Sequence, residues 1–160
     1  MRAEWITIPA LANDYHTLAD NTVISVLDTH GALEITGPDS SKFLQGQLTC
    51  NLQDITNEQS RPGAHCTHKG RMVANFRLLQ RDTQHYLFCL PTETLPALQK
   101  ALAKYIVFSK AKLRDASGDY LQLGISGPQA GAQVARVFGA APAQRHAQHC
   151  HDNGIVICIN

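Results

Sequence analysis

Apolar and polar residues alternate most cleanly along Met72-Val73-Ala74-Asn75-Phe76-Arg77-Leu78-Leu79. A strand puts Met72, Ala74, Phe76 and Leu78 on one face and Val73, Asn75, Arg77 and Leu79 on the other. The first face reads as buried, so Asn75 and Arg77 are left over a cleft or in solvent. His85–Leu90 is a second apolar run, and the short polar connector between them predicts an antiparallel pair. Upstream, Val23–Leu27 and Ala32–Thr36 flank the turn Asp28-Thr29-His30-Gly31 and predict a hairpin. Leu95, Leu98, Leu102, Tyr105 and Ile106 form one helical stripe. Shorter signals complete the pattern. These are loose helical turns from Ile6, Leu11, Tyr15 and Leu18, a turn of helix holding Leu52 and Ile55, and a turn at Arg61-Pro62-Gly63. A basic strand-like segment near 109–115 and a final apolar strand, Gly154–Ile159, follow.

One pattern occurs twice. Leu33-Glu34-Ile35-Thr36-Gly37-Pro38 and Leu123-Gly124-Ile125-Ser126-Gly127-Pro128 lie 90 residues apart, and each leads from a strand through Gly-Pro into a helix. Proline is tolerated in the first helical turn, where its missing amide would be unpaired anyway. The first helix presents Phe43, Leu44 and Leu48 and is expected to end by about Leu48, because Gly46 weakens it. The second is lined by Ala130, Val134, Val137 and Phe138. The fold class predicted is α+β, with antiparallel or mixed sheets, packed helices and two related strand–Gly-Pro–helix units near 32–48 and 120–138, used in one sheet.

Length and composition narrow the setting. At 160 residues with 44% hydrophobic content the chain can bury a sizeable core. No apolar run approaches a membrane span, and Met1-Arg2-Ala3-Glu4-Trp5 does not open a secretory signal, so a cytoplasmic protein away from membranes is expected. The net charge of +1 conceals an asymmetry. Residues 1–58 carry two Lys/Arg against eight Asp/Glu, a net of −6, whereas residues 59–114 carry ten against two, a net of +8. Such a segment either pairs internally or attracts an anionic partner.

Five cysteines with no close pair argue against a disulfide framework. Cys89 and Cys158 fall in strand-like runs and read as core residues, whereas Cys50 and Cys66 flank polar loops and read as more exposed. His146, His149, Cys150 and His151 are the densest set of potential metal ligands. Adjacent strand residues point apart, however, and no second ligand pair is supplied, so a polar loop is expected and no metal.

The candidate chemistry gathers where His68-Lys69-Gly70-Arg71 enters the 72–79 strand. Gly70 suits a positive backbone φ, and Lys69 and Arg71 form either a solvated rim or a corner that meets carboxylates or phosphates.

Four segments in order then carry a resemblance. They are Gly37–Thr49, His68-Lys69-Gly70-Arg71-Met72, Tyr105-Ile106-Val107-Phe108-Ser109-Lys110 and Gly124-Ile125-Ser126-Gly127-Pro128. With them the chain resembles, from Val23 onward, the amino-terminal portion of the YgfZ-like folate-binding proteins, relatives of the glycine-cleavage aminomethyltransferase. The resemblance implies residues 1–21 as a lead-in and 22–160 as part of a larger three-lobed protein around a folate channel. The carboxy-terminal portion, with its Lys-Gly-Cys-Tyr-x-Gly-Gln-Glu motif, is absent, and the apolar strand stopping at Asn160 agrees with that expectation. It further implies tetrahydrofolate or a derivative as cofactor, and iron–sulfur proteins or their assembly factors as partners. The implied role is accessory, supporting iron–sulfur cluster assembly or repair and through it tRNA modification, and is incomplete in this portion alone.

In this reading Lys69 and Arg71 form a positive rim for the glutamate tail of a folate, and Asn75 and Arg77 stand further along the wall. Gln47 and Thr49 face the same channel. No catalytic residue is assigned. Aminomethyltransferases carry an acidic pair shortly after this glycine, where Val73-Ala74-Asn75 offers no carboxylate to steady developing positive charge. A folate-dependent aminomethyl- or methyltransferase is therefore the second reading. A direct RNA-binding module ranks last, because the basic segment near Lys69–Arg77 has little aromatic interleaving for stacking bases.

Overall fold

The computed structural model describes residues 20–151 and 154–159; the helical turns expected from Ile6 to Leu18 lie outside them. Nine strands are present among these residues: β1 Val23–Val26, β2 His30–Thr36, β3 Arg61–Cys66, β4 Met72–Asp82, β5 His85–Pro91, β6 Lys112–Asp115, β7 Leu123–Ser126, β8 Gln148–His151 and β9 Gly154–Ile157. The helices are α1 Ser40–Gln45, α2 Leu95–Ile106 and α3 Ala130–Phe138, with one-turn 3-10 helices at Leu52–Asp54 and Ser117–Asp119. The structure is an α+β fold of antiparallel sheets with packed helices.

A five-stranded sheet in the order β3-β4-β5-β2-β6 forms the centre. One face carries Leu33, Ile35, Ala74, Phe76, Leu78, Phe88 and Leu90, all buried. Helix α2 covers it with Leu95, Leu98 and Leu102, three residues whose spacing makes a single stripe. Phe43 and Leu44 of α1 and Leu52 and Ile55 of the following turn close the core. Phe76 and Phe88, on neighbouring strands, meet edge-on with ring centroids 4.7 Å apart.

Several expectations are corrected. β1 and β2 do not form a hairpin: the turn between them exists, with His30 N–H donating to the Leu27 carbonyl, but the strands part into different sheets. Among the described residues β1 pairs with β7, and β2 lies between β5 and β6. Arg61-Pro62-Gly63 is not a turn but the start of β3, because each pairs in register with Leu78, Arg77 and Phe76. Met72 is 63% exposed, since a bulge between His65 and Cys66 and the open end of the hairpin leave it beyond the covered core. Val137 is also exposed, and Val134 is the buried residue of α3.

The two Gly-Pro units sit in separate sheets, not in one, yet their geometry repeats. Thr36 pairs with Lys112 and Leu33 with Asp115; 90 residues on, Ser126 pairs with Val23 and Leu123 with Val26. Gly37 has φ +126° and a Cβ there would lie 2.4 Å from the Lys110 carbonyl oxygen. Gly127 has φ +109° and a Cβ would lie 2.1 Å from the Asn21 carbonyl oxygen. In both units a backbone crosses where only glycine leaves room.

Candidate functional site

The β3–β4 hairpin turns through His68-Lys69-Gly70. Thr67 N–H donates to the Arg71 carbonyl at 2.8 Å, Gly70 N–H to the Thr67 carbonyl at 2.9 Å, and Arg71 N–H to Thr67 Oγ1 at 3.2 Å. Gly70 has φ +76°, the left-handed residue that closes a three-residue loop. The glycine in this motif is therefore explained by turn geometry. Lys69 and Arg71 are exposed, and among the described residues neither is in an ion pair.

Beyond the tip, the face of β4 opposite the core carries Asn75, exposed, and Arg77, half-buried. Six residues separate Arg71 from Arg77, about 20 Å along a strand. The hairpin tip and Arg77 are thus distinct positions. Arg77 Nη1 donates to Ser60 Oγ at 3.1 Å and to His146 Nδ1 at 3.0 Å. Because Arg77 can only donate, His146 accepts at Nδ1 and holds its ring proton on Nε2. Burial, then the Arg77, Arg145 and Arg61 charges, lower the His146 pKa, in keeping with a neutral ring.

Cys89 is in register with Arg77 on the same sheet face, and burial pushes its thiol up to about 11. Burial likewise raises Cys50 and Cys150. None of these three is poised as a thiolate nucleophile near neutral pH. Cys50 is partly buried rather than exposed, its Sγ lying where a Cβ on Gly63 would meet it at 2.7 Å. Cys150 is the exposed thiol.

Thr49 extends the edge of β3. Its N–H donates to the Ala64 carbonyl and its Oγ1 accepts from Ala64 N–H, each at 2.9 Å. Since Ala64 pairs with Asn75, Thr49 and Asn75 flank the same β3 residue. The Gln47 carbonyl lies 2.8 Å from His65 Nδ1. Gln47 also lines a cleft of about 310 Å³ with Asp39, Lys42, Phe43, Gly46, Tyr105, Phe108 and Ser109. Lys69, Arg71, Asn75 and Arg77 are not part of that cleft.

The internal pairing of the basic segment centres on Arg114, which sequence reasoning did not single out. Arg114 Nη2 lies 2.6 Å from Glu34 Oε2, its Nη1 meets Asp119, and His85 Nε2 lies 2.7 Å from Glu34 Oε1. The signal was the register: Glu34 and Arg114 are directly paired across β2 and β6. Among the described residues no group of three His, Cys, Asp or Glu side chains is arranged to hold a metal ion. No helix among them is long and apolar enough to cross a membrane.

Residues 2–154 match the family model described as the GCVT N-terminal domain. Over 120 residues the chain is 38% identical to the tRNA-modifying protein YgfZ of Klebsiella pneumoniae (strain 342), covering 74% of this chain and 36% of that protein. Over 121 residues it is 34% identical to the tRNA-modifying protein YgfZ of Colwellia psychrerythraea, covering 76% and 37%. The chain therefore spans little more than a third of the length of these curated relatives. Among solved structures, the glycine cleavage system aminomethyltransferase T from Bartonella henselae superposes with a TM-score of 0.74 at 14% identity, over 86% of this chain and 38% of that one. At that identity the likeness is one of fold.

Proposed function

Because this chain belongs to the GCVT N-terminal domain family, we propose that it supplies one wall of a site for a reduced folate, tetrahydrofolate or a derivative. The protein is read as a cytoplasmic accessory factor that supports iron–sulfur cluster assembly or repair and, through it, tRNA modification. Residues 22–160 are then the amino-terminal portion of that protein. The similarity to proteins named as tRNA-modifying YgfZ over 120 residues carries this reading. Beside it, an amide rather than a carboxylate at Asn75 speaks against methylene-transfer chemistry at the folate.

Within the wall, Lys69 and Arg71 attract the carboxylates of the folate tail from an exposed hairpin tip free of acidic partners among the described residues. Asn75, Thr49 and Gln47 supply polar groups along the adjoining β3–β4 edge, and Arg77 adds positive charge further along. Calorimetric titration with tetrahydrofolate tests the reading. Saturable binding is expected, weakened about 3- to 10-fold by Lys69→Ala or Arg71→Ala, the loss of one charge-assisted contact. Deleting the gene should lower tRNA thiolation. Absence of saturable folate binding together with unchanged thiolation retires the proposal.

A further inference from the structure

Ser60 is fully buried, and three groups converge on it. Its N–H and Oγ both donate to the His146 carbonyl, at 2.8 and 2.9 Å. Its Oγ accepts from Arg77 Nη1, and its carbonyl accepts from Arg61 Nη1 at 3.2 Å. Two guanidinium groups are thus tethered to one serine, each through a single nitrogen. The Ser60–His146 backbone pair also carries Arg145 into the neighbourhood, where its carbonyl accepts from Gln59 Nε2.

The way Arg77 is held decides what it can do. Nη1 is occupied by Ser60 and His146, which fixes the plane of the group. Its Nε–H and Nη2–H, the edge that pairs bidentately with an oxyanion, have no partner among the described residues. Nor is there a counter-charge, since the ion pairs among those residues use Glu34 and Asp119 with Arg114 and His85, and none reaches Arg61, Arg77 or Arg145. The nearby Cys89 thiol is neutral. His146 adopts φ +68°, an uncommon conformation for a residue other than glycine, held by its backbone bonds to Ser60 and Cys158. The charges of Arg61, Arg77 and Arg145 act on one another's surroundings, with Arg145 felt at both Arg77 and His146. With no acid paired to them among the described residues, they favour an anion between them.

We propose that Arg77, anchored by Ser60 and His146 and flanked by Arg61 and Arg145, forms a binding site for a small-molecule oxyanion, a phosphate or a carboxylate. Arg77 also stands in the folate wall proposed above, so the carboxylate arm of this inference rests on that reading, whereas the phosphate arm does not. A chain that takes up oxyanions but no tetrahydrofolate keeps this inference and loses that one.

Calorimetry of the full chain with inorganic phosphate and, separately, with tri-γ-glutamate distinguishes the two sources. Saturable binding of either above an equal ionic strength of chloride supports the site, and the tighter of the two identifies the source. Arg77→Lys keeps the charge but loses the planar fork and should weaken binding at least 10-fold. Arg145→Gln should weaken it about 3-fold, whereas Lys100→Gln, which removes the same charge from the exposed side of α2, should leave it unchanged. Because Arg145 is exposed, its variant also covers the case in which Arg77→Lys fails to fold. No saturable binding of either anion overturns the proposal, as does equal weakening by Arg145→Gln and Lys100→Gln.

Discussion

Glycines at positive φ differ in what surrounds them, and the difference sets their cost. Gly70 stands in the hairpin tip at φ +76°, and a Cβ placed there would meet no atom within 4 Å. Gly70→Ala should therefore cost only the left-handed backbone penalty, about 1–2 kcal/mol. Gly37→Ala adds a backbone collision with Lys110 and should cost about 3 kcal/mol or more. Chemical denaturation of both variants reads this directly, and equal losses would contradict it. Cys89 gives a pH signature at the same scale. Its thiol titrates near 11 in the folded chain against 9.0 unfolded, so the unfolded state loses its proton first. The contribution is intact below pH 9 and is lost as pH rises towards 11, by roughly 2–3 kcal/mol in all. Denaturation midpoints of the wild type and Cys89→Ala, compared between pH 8 and 11, should converge as pH rises. The sequence made Gly70 legible because turn chemistry is local. Arg77 was legible as a residue on the strand face opposite the apolar one, but its partners Ser60 and His146 lie 17 and 69 residues away and only the folded chain brings them to it.

Elements were read well where their signal lay within them. The stripe of α2, the β4–β5 pair and the two Gly-Pro helices follow from periodicity and punctuation. Partner choice did not follow, because an apolar strand such as Val23–Val26 specifies a buried face and not the neighbour along its edge. The proximity of β1 and β2 in sequence therefore suggested a hairpin, whereas each found an antiparallel mate roughly 80 to 100 residues away. β8 shows how one element is secured to the central sheet. Gln148 is buried, its Nε2 donating to the Gln80 carbonyl at 2.7 Å and the Asn57 carbonyl at 3.2 Å. Gln148→Ala strands both acceptors and should destabilise the chain by about 2 kcal/mol, against within ~0.5 kcal/mol for His149→Ala on the exposed side. Thermal or urea unfolding distinguishes them, and similar effects at the two positions would show that the Gln148 amide does not hold the strand.

For the whole molecule, the matching registers of β2–β6 and β1–β7 mean that each Gly-Pro unit borrows its flanking strand from the other end of the sequence. The first takes a late strand and the second an early one. The α+β class was legible because both units announce themselves; their division between two sheets was not, since nothing local to either reports it. This exchange also has a temporal consequence. Synthesis proceeds from the amino terminus at about 5–20 residues per second. Val23 and its mate Ser126 are 103 residues apart, so β1 emerges about 5–20 s before the ribosome has made its mate. Throughout that interval its edge amides lack the β7 partner they take in the fold, and the nascent chain must be kept from pairing with another.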